Sequence, residues 1–336
     1  MIDLILLIPI LASFLIVLFL TPFWIRKARD IGLMWPDMNK HEKKTVAGSG
    51  GIIAMLGFLI GGLLFVAYRV FIIGSSEYLV EILSLLLVVL MASGIGLIDD
   101  LLGWQKGGLS RRSRMLLVAI SAIPLMAINA GQNTFAIFGT QFSIGWIYAL
   151  IFIPIGLVGA TTTFNFLAGF NGLEAGLGFL MIGSLSIVSF FTGQAWLATI
   201  GACMCAALLA FLLFNKVPAK VFPGDVITYA IGALIAAMAI LGNFEKIAVF
   251  FFIPYIIEVI LKSRGKLVKS SFGKPMKDGT LDLLHDKIYG LTHASIALLK
   301  KLGIRSTEKN VVWTIWIFQI LIIIIGFVLF REGIFG

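Results

Sequence analysis

Residues 79–114 read LVEILSLLLVVLMASGIGLIDDLLGWQKGGLSRRSR, an apolar segment over 79–98 that runs straight into two adjacent carboxylates, Asp99 and Asp100. A stretch of about 20 mostly apolar residues is long enough to cross a bilayer as a helix. Two acids at its end are costly, because like charges repel and low dielectric disfavours ionisation. The site therefore requires a compensating cation, a basic loop or a shared proton. Lys106, Arg111, Arg112 and Arg114 follow at once. The stretch reads as a membrane helix delivering acids to a place where anions and a divalent metal can meet.

The rest of the chain has the same character. Of 336 residues, 60% are hydrophobic and 13% charged, and the mean hydropathy is +1.04. A soluble domain, with about 45–50% apolar and about 25% charged residues, is excluded. Apolar segments at 3–25, 49–72, 79–98, 115–131, 145–164, 176–192, 196–214, 226–242, 247–262 and 310–330 predict an all-α polytopic membrane protein with ten transmembrane helices. They form a single integral membrane domain over 1–336. The first segment is too long for the core of a cleaved signal and lacks a basic start, so it reads as a retained helix.

Loops at 26–48, 99–114, 165–175, 215–225 and 262–309 hold 23 of the 26 Lys and Arg residues, against Arg69, Lys246 and Arg331 on the other side. That asymmetry places the five loops in the cytoplasm and both termini outside, in a multi-pass protein of the cell membrane. The net charge of +9 is then cytoplasmic, and anchoring to anionic membrane lipids would by itself explain the arginines but not the carboxylates. No nucleic-acid partner is expected. Cys203 and Cys205 lie two apart within one apolar segment. They have neither metal nor disulfide spacing and read as packing residues.

Three further clusters lie on the cytoplasmic side. Gly48-Ser49-Gly50-Gly51 precedes the second helix, where glycines serve either backbone approach to a ligand or close helix packing. Asn165-Phe-Leu-Ala-Gly169-Phe-Asn171-Gly-Leu-Glu174-Ala-Gly176 is densely polar for this chain, with Asn171-Gly172 as a turn in the plainest reading. Phe222-Pro-Gly-Asp225 opens the eighth helix, either as an ordinary cap or as an anion or metal site. Residues 135–144 suggest an external hairpin, Pro254 a kink in the ninth helix, and Glu258 an i, i+4 partner for Lys262. Ile288, Leu291, Ala294, Leu298 and Leu302 have the spacing of a helix lying on the membrane surface.

Taken in order, Asp99-Asp100, the Asn165–Gly176 stretch and Phe222–Asp225 resemble the motifs of the polyprenyl-phosphate N-acetylhexosamine-1-phosphate transferases. The second motif looks most like the eukaryotic and archaeal branch, which moves GlcNAc-1-phosphate from UDP-GlcNAc to dolichyl phosphate at the start of N-glycan assembly. The resemblance covers about residues 35–300. It implies Mg²⁺ (or Mn²⁺) held by Asp225 and Asn165, with Asp99 and Asp100 near the acceptor phosphate and the three aspartates as the catalytic set. Met38, Gly169, Asn171 and Phe222 fall on uracil-pocket positions. Arg114 replaces a phosphate-binding lysine, and Arg112 is its companion. The branch's basic triplet has no clean match between Lys262 and Lys277, which leaves Glu174, Lys269, Lys274 and His285 as candidates for sugar contacts. The His-rich cluster of the peptidoglycan-precursor branch is missing.

Such a transfer joins two anions, so a metal and arginines must screen their repulsion. Direct displacement and a double displacement through an aspartyl phosphate both remain open. So do a related UDP-N-acetylhexosamine donor with undecaprenyl phosphate, and a homodimer. The competing class is a transporter in which the acids form an ion path. Against it, the polar residues lie at one face and no inverted repeat is evident.

Overall fold

The structure is a computed structural model that describes residues 4–42, 44–131, 134–137, 140–143 and 145–336. In chain order, α1 (Leu7–Asp30), β1 (Met34–Pro36), β2 (Thr45–Ala47), α2 (Gly51–Ile73) and α3 (Leu79–Lys106) come first. α4 (Arg111–Ser121), α5 (Ile123–Ala127) and the antiparallel pair β3 (Thr134–Ile137) and β4 (Thr140–Ser143) follow. Next come α6 (Tyr148–Phe166), α7 (Leu173–Phe191), α8 (Ala195–Asn215), α9 (Asp225–Gly242), α10 (Glu245–Phe251) and α11 (Ile253–Arg264). β5 (Lys274–Pro275), β6 (Leu281–Asp282), α12 (Leu291–Lys301), α13 (Glu308–Leu329) and α14 (Arg331–Phe335) complete the chain. The expected hairpin is present as β3 and β4, although Gly139 and Ile144, like the side chain of Lys106, lie outside the described residues.

Among the described residues eight helices, α1 to α3, α6 to α9 and α13, are long and apolar enough to cross a membrane. The chain is a nearly all-helical polytopic membrane protein. The other two apolar segments are each broken, α4 giving way to α5 at Ala122 and α10 to α11 at Phe252. A proline follows each break, Pro124 and Pro254. Each lacks an N–H and its ring crowds the carbonyl four residues back. Pro254 signalled its kink in the sequence; Pro124 breaks its helix in the same way.

Hydropathy misplaces several helix ends. Asp99 and Asp100 lie inside α3, and Arg112 and Arg114 inside the first turn of α4, so the loop expected over 99–114 shrinks to 107–110. Likewise Glu308 begins α13 rather than ending a loop. A helix closes its own backbone hydrogen bonds and continues past the apolar residues that mark its crossing. The start of α4 is fixed by Ser110, whose Oγ accepts the Ser113 N–H at 3.2 Å.

α12 corrects another expectation. Leu291, Thr292, His293, Ser295, Ile296 and Leu299 are buried, whereas Leu298 and Leu302 are exposed. Its packed side therefore faces protein, with α13 and α11 as neighbours, and the five spaced apolar residues do not form one surface. Glu258 does more than meet Lys262 at 3.8 Å. Its Oε2 accepts the Leu291 N–H at 2.6 Å, so one helix caps the next.

At the centre stands α9, in which every residue from Val226 to Leu241 is buried. It packs on α3 and α6, with α7 and α2 beside them. Small residues permit the close approach: a Cβ on Gly96 of α3 would overlap the Asp225 carbonyl, and one on Gly232 of α9 would meet the Thr161 backbone. Membrane helices lack a hydrophobic drive to associate and rely on such tight packing. The glycines before α2 also serve packing. Gly50 and Gly51 donate their N–H groups to the carbonyls of Phe222 and Pro223, both at 2.9 Å.

Gly96→Ala should force α3 from α9 and lower stability by about 1–3 kcal/mol, the usual range for overpacking. Thermal unfolding of the detergent-solubilised protein reads this as a lower Tm. An unchanged Tm would show that the helix pair has slack.

Candidate active site

Neighbouring residues on a helix project about 100° apart, so Asp99 and Asp100 have different partners. Asp100 turns toward the start of α9. Its Oδ1 accepts the Asp225 N–H at 2.8 Å and its Oδ2 the Val226 N–H at 3.4 Å. These are donors that a helix cannot satisfy itself, at the end where its dipole favours an anion. Gly224 makes room, with φ of 73° and a position where a Cβ would overlap the Asp100 carboxylate.

Asp99 faces the start of α4. Its Oδ1 accepts the Leu109 N–H at 2.6 Å, and its Oδ2 lies 2.9 Å from Nε of Arg114. Arg114 also reaches Asp225, with Nη1 3.9 Å from Oδ2. From the last turn of α6, Asn165 donates through Nδ2 to the same Asp225 oxygen at 3.1 Å. Asp225 is thus the point where α3, α4, α6 and α9 converge.

Three carboxylates around one arginine leave a shortage of positive charge, and buried acids are costly unless paired. Among the described residues no three or more His, Cys, Asp and Glu side chains are grouped to hold a metal unaided. A small hard cation binds one or two protein oxygens and completes its shell with water and phosphate. Asp225 and the Asn165 amide fit that demand.

Two cavities meet at this point. The first, about 490 Å³, is lined by Asn165, Asp225 and Asp100 at one end and by Met38, Gly169, Asn171, Glu174, Phe222 and Phe272 at the other. The second, about 300 Å³, is lined by Asp99, Arg114, Gly107 and Gly108. Trp35, Asp100 and Asp225 belong to both.

Most of the expected site residues therefore come together, but some do not. Arg112 is exposed and lines neither cavity. Lys269, with its ammonium 6.0 Å from the Tyr289 ring, Lys274 on β5, and His285, edge-on to His293 at 5.5 Å, line neither as well. His293 meets the Phe272 carbonyl at 3.1 Å through Nε2, and burial holds its pKa below the usual imidazole range. Glu174 is buried in the first cavity's wall, its Oε1 accepting the Gly169 N–H at 2.7 Å.

In and behind the wall stand two acids with little signal in the sequence. Asp37 lines the first cavity, and Glu308 stands behind it at the start of α13. The Asn171 N–H donates to Glu308 Oε1 at 2.9 Å. Its Nδ2 donates to Asp37 Oδ2 at 2.9 Å and Glu308 Oε2 at 3.3 Å. Lys40 pairs with Glu308. Asn215, the last residue of α8, accepts the Gly172 N–H at 3.1 Å and donates to the Val221 carbonyl at 2.9 Å, tying two site loops together. The one trace of Glu308 in the sequence is Thr307 before it, a helix-start signal that reveals nothing of its tertiary reach.

The chain is similar to known proteins of one family. The model of glycosyl transferase family 4 matches residues 82–243. A putative UDP-N-acetylglucosamine–dolichyl-phosphate N-acetylglucosaminephosphotransferase of Saccharolobus solfataricus is 34% identical, over 96% of both chains. A protein of the same description from Sulfolobus acidocaldarius is 30% identical, over 96% of this chain and 95% of its own. A phospho-N-acetylmuramoyl-pentapeptide-transferase of Halalkalibacterium halodurans is 31% identical, over 80% and 87%.

Asp100→Ala should lower unfolding stability by about 1–3 kcal/mol, because it strands two N–H groups at the start of α9. Asp225→Asn removes no such cap and should cost less than about 1 kcal/mol, since a surplus, partly buried charge goes with it. Equal losses in thermal unfolding would refute this division of labour.

Proposed function

This chain belongs to glycosyl transferase family 4, and we propose that it transfers N-acetylglucosamine 1-phosphate from UDP-GlcNAc to a polyprenyl phosphate of the dolichyl type. The products are GlcNAc-diphospho-polyprenol and UMP, and the reaction opens the assembly of a lipid-linked oligosaccharide. The observation that carries the reading is the meeting of two cavities at Asp225. The larger suits a nucleotide sugar, and the smaller, with Arg114 and the Gly107-Gly108 end of the loop, suits a second phosphate.

Each residue then has a task. Phe222 and Gly169 flank the uracil, with Met38 at its edge and Asn171 reading it. Asp225 and Asn165 would hold Mg²⁺, which when bound would screen the two phosphates from each other and draw charge from the scissile bond. Arg114 orients the acceptor phosphate and neutralises charge as its oxygen attacks the donor's β-phosphorus. Asp99, fixed by Arg114 and the Leu109 N–H, takes the acceptor's remaining proton or keeps the attacking oxygen in line. Asp100 aims Asp225 by holding its helix. The bond to UMP breaks as the new phosphorus–oxygen bond forms.

An apolar groove of about 330 Å³ lies between α6, α9 and the α10–α11 bend, lined by Gly156, Gly159, Thr163, Ala236, Val249 and Phe252 among others. Thr163 brings it within two residues of Asn165. It suits the isoprenoid tail of the acceptor. Counting the two broken segments as crossings gives ten spans. The excess of Lys and Arg in the loops supports a site on the cytoplasmic face of the cell membrane, with both termini outside.

Purified protein should release UMP from UDP-GlcNAc only when both a polyprenyl phosphate and Mg²⁺ are present; release with neither required would defeat the reading. Asp225→Asn should raise the Mg²⁺ concentration for half-maximal rate and reduce the rate at saturation. Arg114→Ala should cost about ten- to a hundredfold in rate, the loss of a charge-assisted phosphate contact, with Arg114→Lys recovering much of it. Arg112→Ala, outside both cavities, should change it little. Matched losses at both arginines would mean that the loop acts only as a membrane anchor.

A further inference from the structure

The Asn171 side chain is held on one edge only. Its NH2 group faces two carboxylates, Asp37 Oδ2 at 2.9 Å and Glu308 Oε2 at 3.3 Å. Carboxylates accept and cannot donate, so the amide cannot rotate by half a turn without setting its own oxygen against theirs. Glu308 stays an acceptor because the Lys40 ammonium and the Asn171 backbone N–H both donate to it. Asp37 likewise accepts the Asn39 N–H at 3.2 Å through Oδ1. Asp37, Asn171 and Glu308 are all buried, where such contacts are hard to replace with water. The Asn171 Oδ1 has no hydrogen-bond donor among the described residues, and Asn171 lines the first cavity.

We propose that Asp37 and Glu308 set the base preference of the site by locking the Asn171 amide with its oxygen toward the cavity. This rests on the reading of that cavity as a nucleotide site. A locked acceptor suits uracil, whose N3 carries a hydrogen, and rejects cytosine, whose N3 is a lone pair. An amide free to turn would serve either base. Asp37 and Glu308 are thus positioning residues, and a polar site built for one hydrogen-bond pattern discriminates more strongly than an apolar one.

The test uses the full-length protein and follows incorporation of labelled GlcNAc into polyprenyl lipid, with UMP and CMP as competing inhibitors. Wild type should be inhibited by UMP at least about tenfold better than by CMP. In Asp37→Asn and Glu308→Gln the neighbour can donate as well as accept. The UMP-over-CMP ratio should then fall about three- to tenfold in each, with the change in KM for UDP-GlcNAc exceeding that in kcat. A ratio unchanged in both variants, or parallel weakening of UMP and CMP, overturns the proposal, as does a wild type that does not distinguish the two. Should Glu308→Gln fail to fold, Asp37→Asn decides alone. If wild type makes no lipid product or ignores UMP, the functional reading itself has failed.

Discussion

The site depends on the two hydrogen bonds that one carboxylate accepts from a helix start. Asp100 accepts the first two N–H groups of α9, and so fixes the end of α3 against the start of the central helix. That contact sets Asp225 beside Asp99 and within reach of Arg114 and Asn165. The glycines at 96 and 224 are its steric conditions, since a side chain at either would hold the elements apart. The geometry at Asp225 is therefore inherited from packing: the same helix end that needs an anion for its own satisfaction carries the carboxylate that Arg114 and Asn165 reach.

Trans-capping recurs around the cavities. Glu258 of α11 caps α12, Glu308 of α13 holds the backbone of Asn171, and Asn215 of α8 joins the loops before α7 and α9. In an apolar medium an unpaired backbone group is costly, so polar side chains at helix ends do structural work wherever loops are tight. Their consequence is that the loops beside the cavities are tied to neighbouring helices by side-chain hydrogen bonds.

Much of this was legible from residue order. The apolar segments located the eight helices that, among the described residues, are long and apolar enough to cross a membrane; Asp99, Asp100, Asn165, Asn171 and Asp225 stood out because acids and amides are rare at the edges of such segments, and Phe222 entered through the family resemblance. Helix ends were less legible, because hydropathy reports the solvent and not the hydrogen-bond ladder; α3 and α4 therefore swallowed most of their loop. The last loop was least legible. Lys269, Lys274 and His285 stood in for a basic triplet without a clean match, and they line neither cavity; charge in a loop says nothing of direction. Asp37 and Glu308 escaped notice for the opposite reason, since an acid beside lysines in a basic loop looks like a surface pair until its burial is seen.

The central claim is that the donor and acceptor phosphates meet at Asp225, so that the bond broken lies between the two phosphorus atoms of the nucleotide. UDP-GlcNAc carrying radioactive phosphorus at the β position measures this directly. After reaction with polyprenyl phosphate, the label should pass into the organic-soluble lipid and leave unlabelled UMP in water. Labelled UDP in the aqueous phase, with sugar alone on the lipid, would contradict the account.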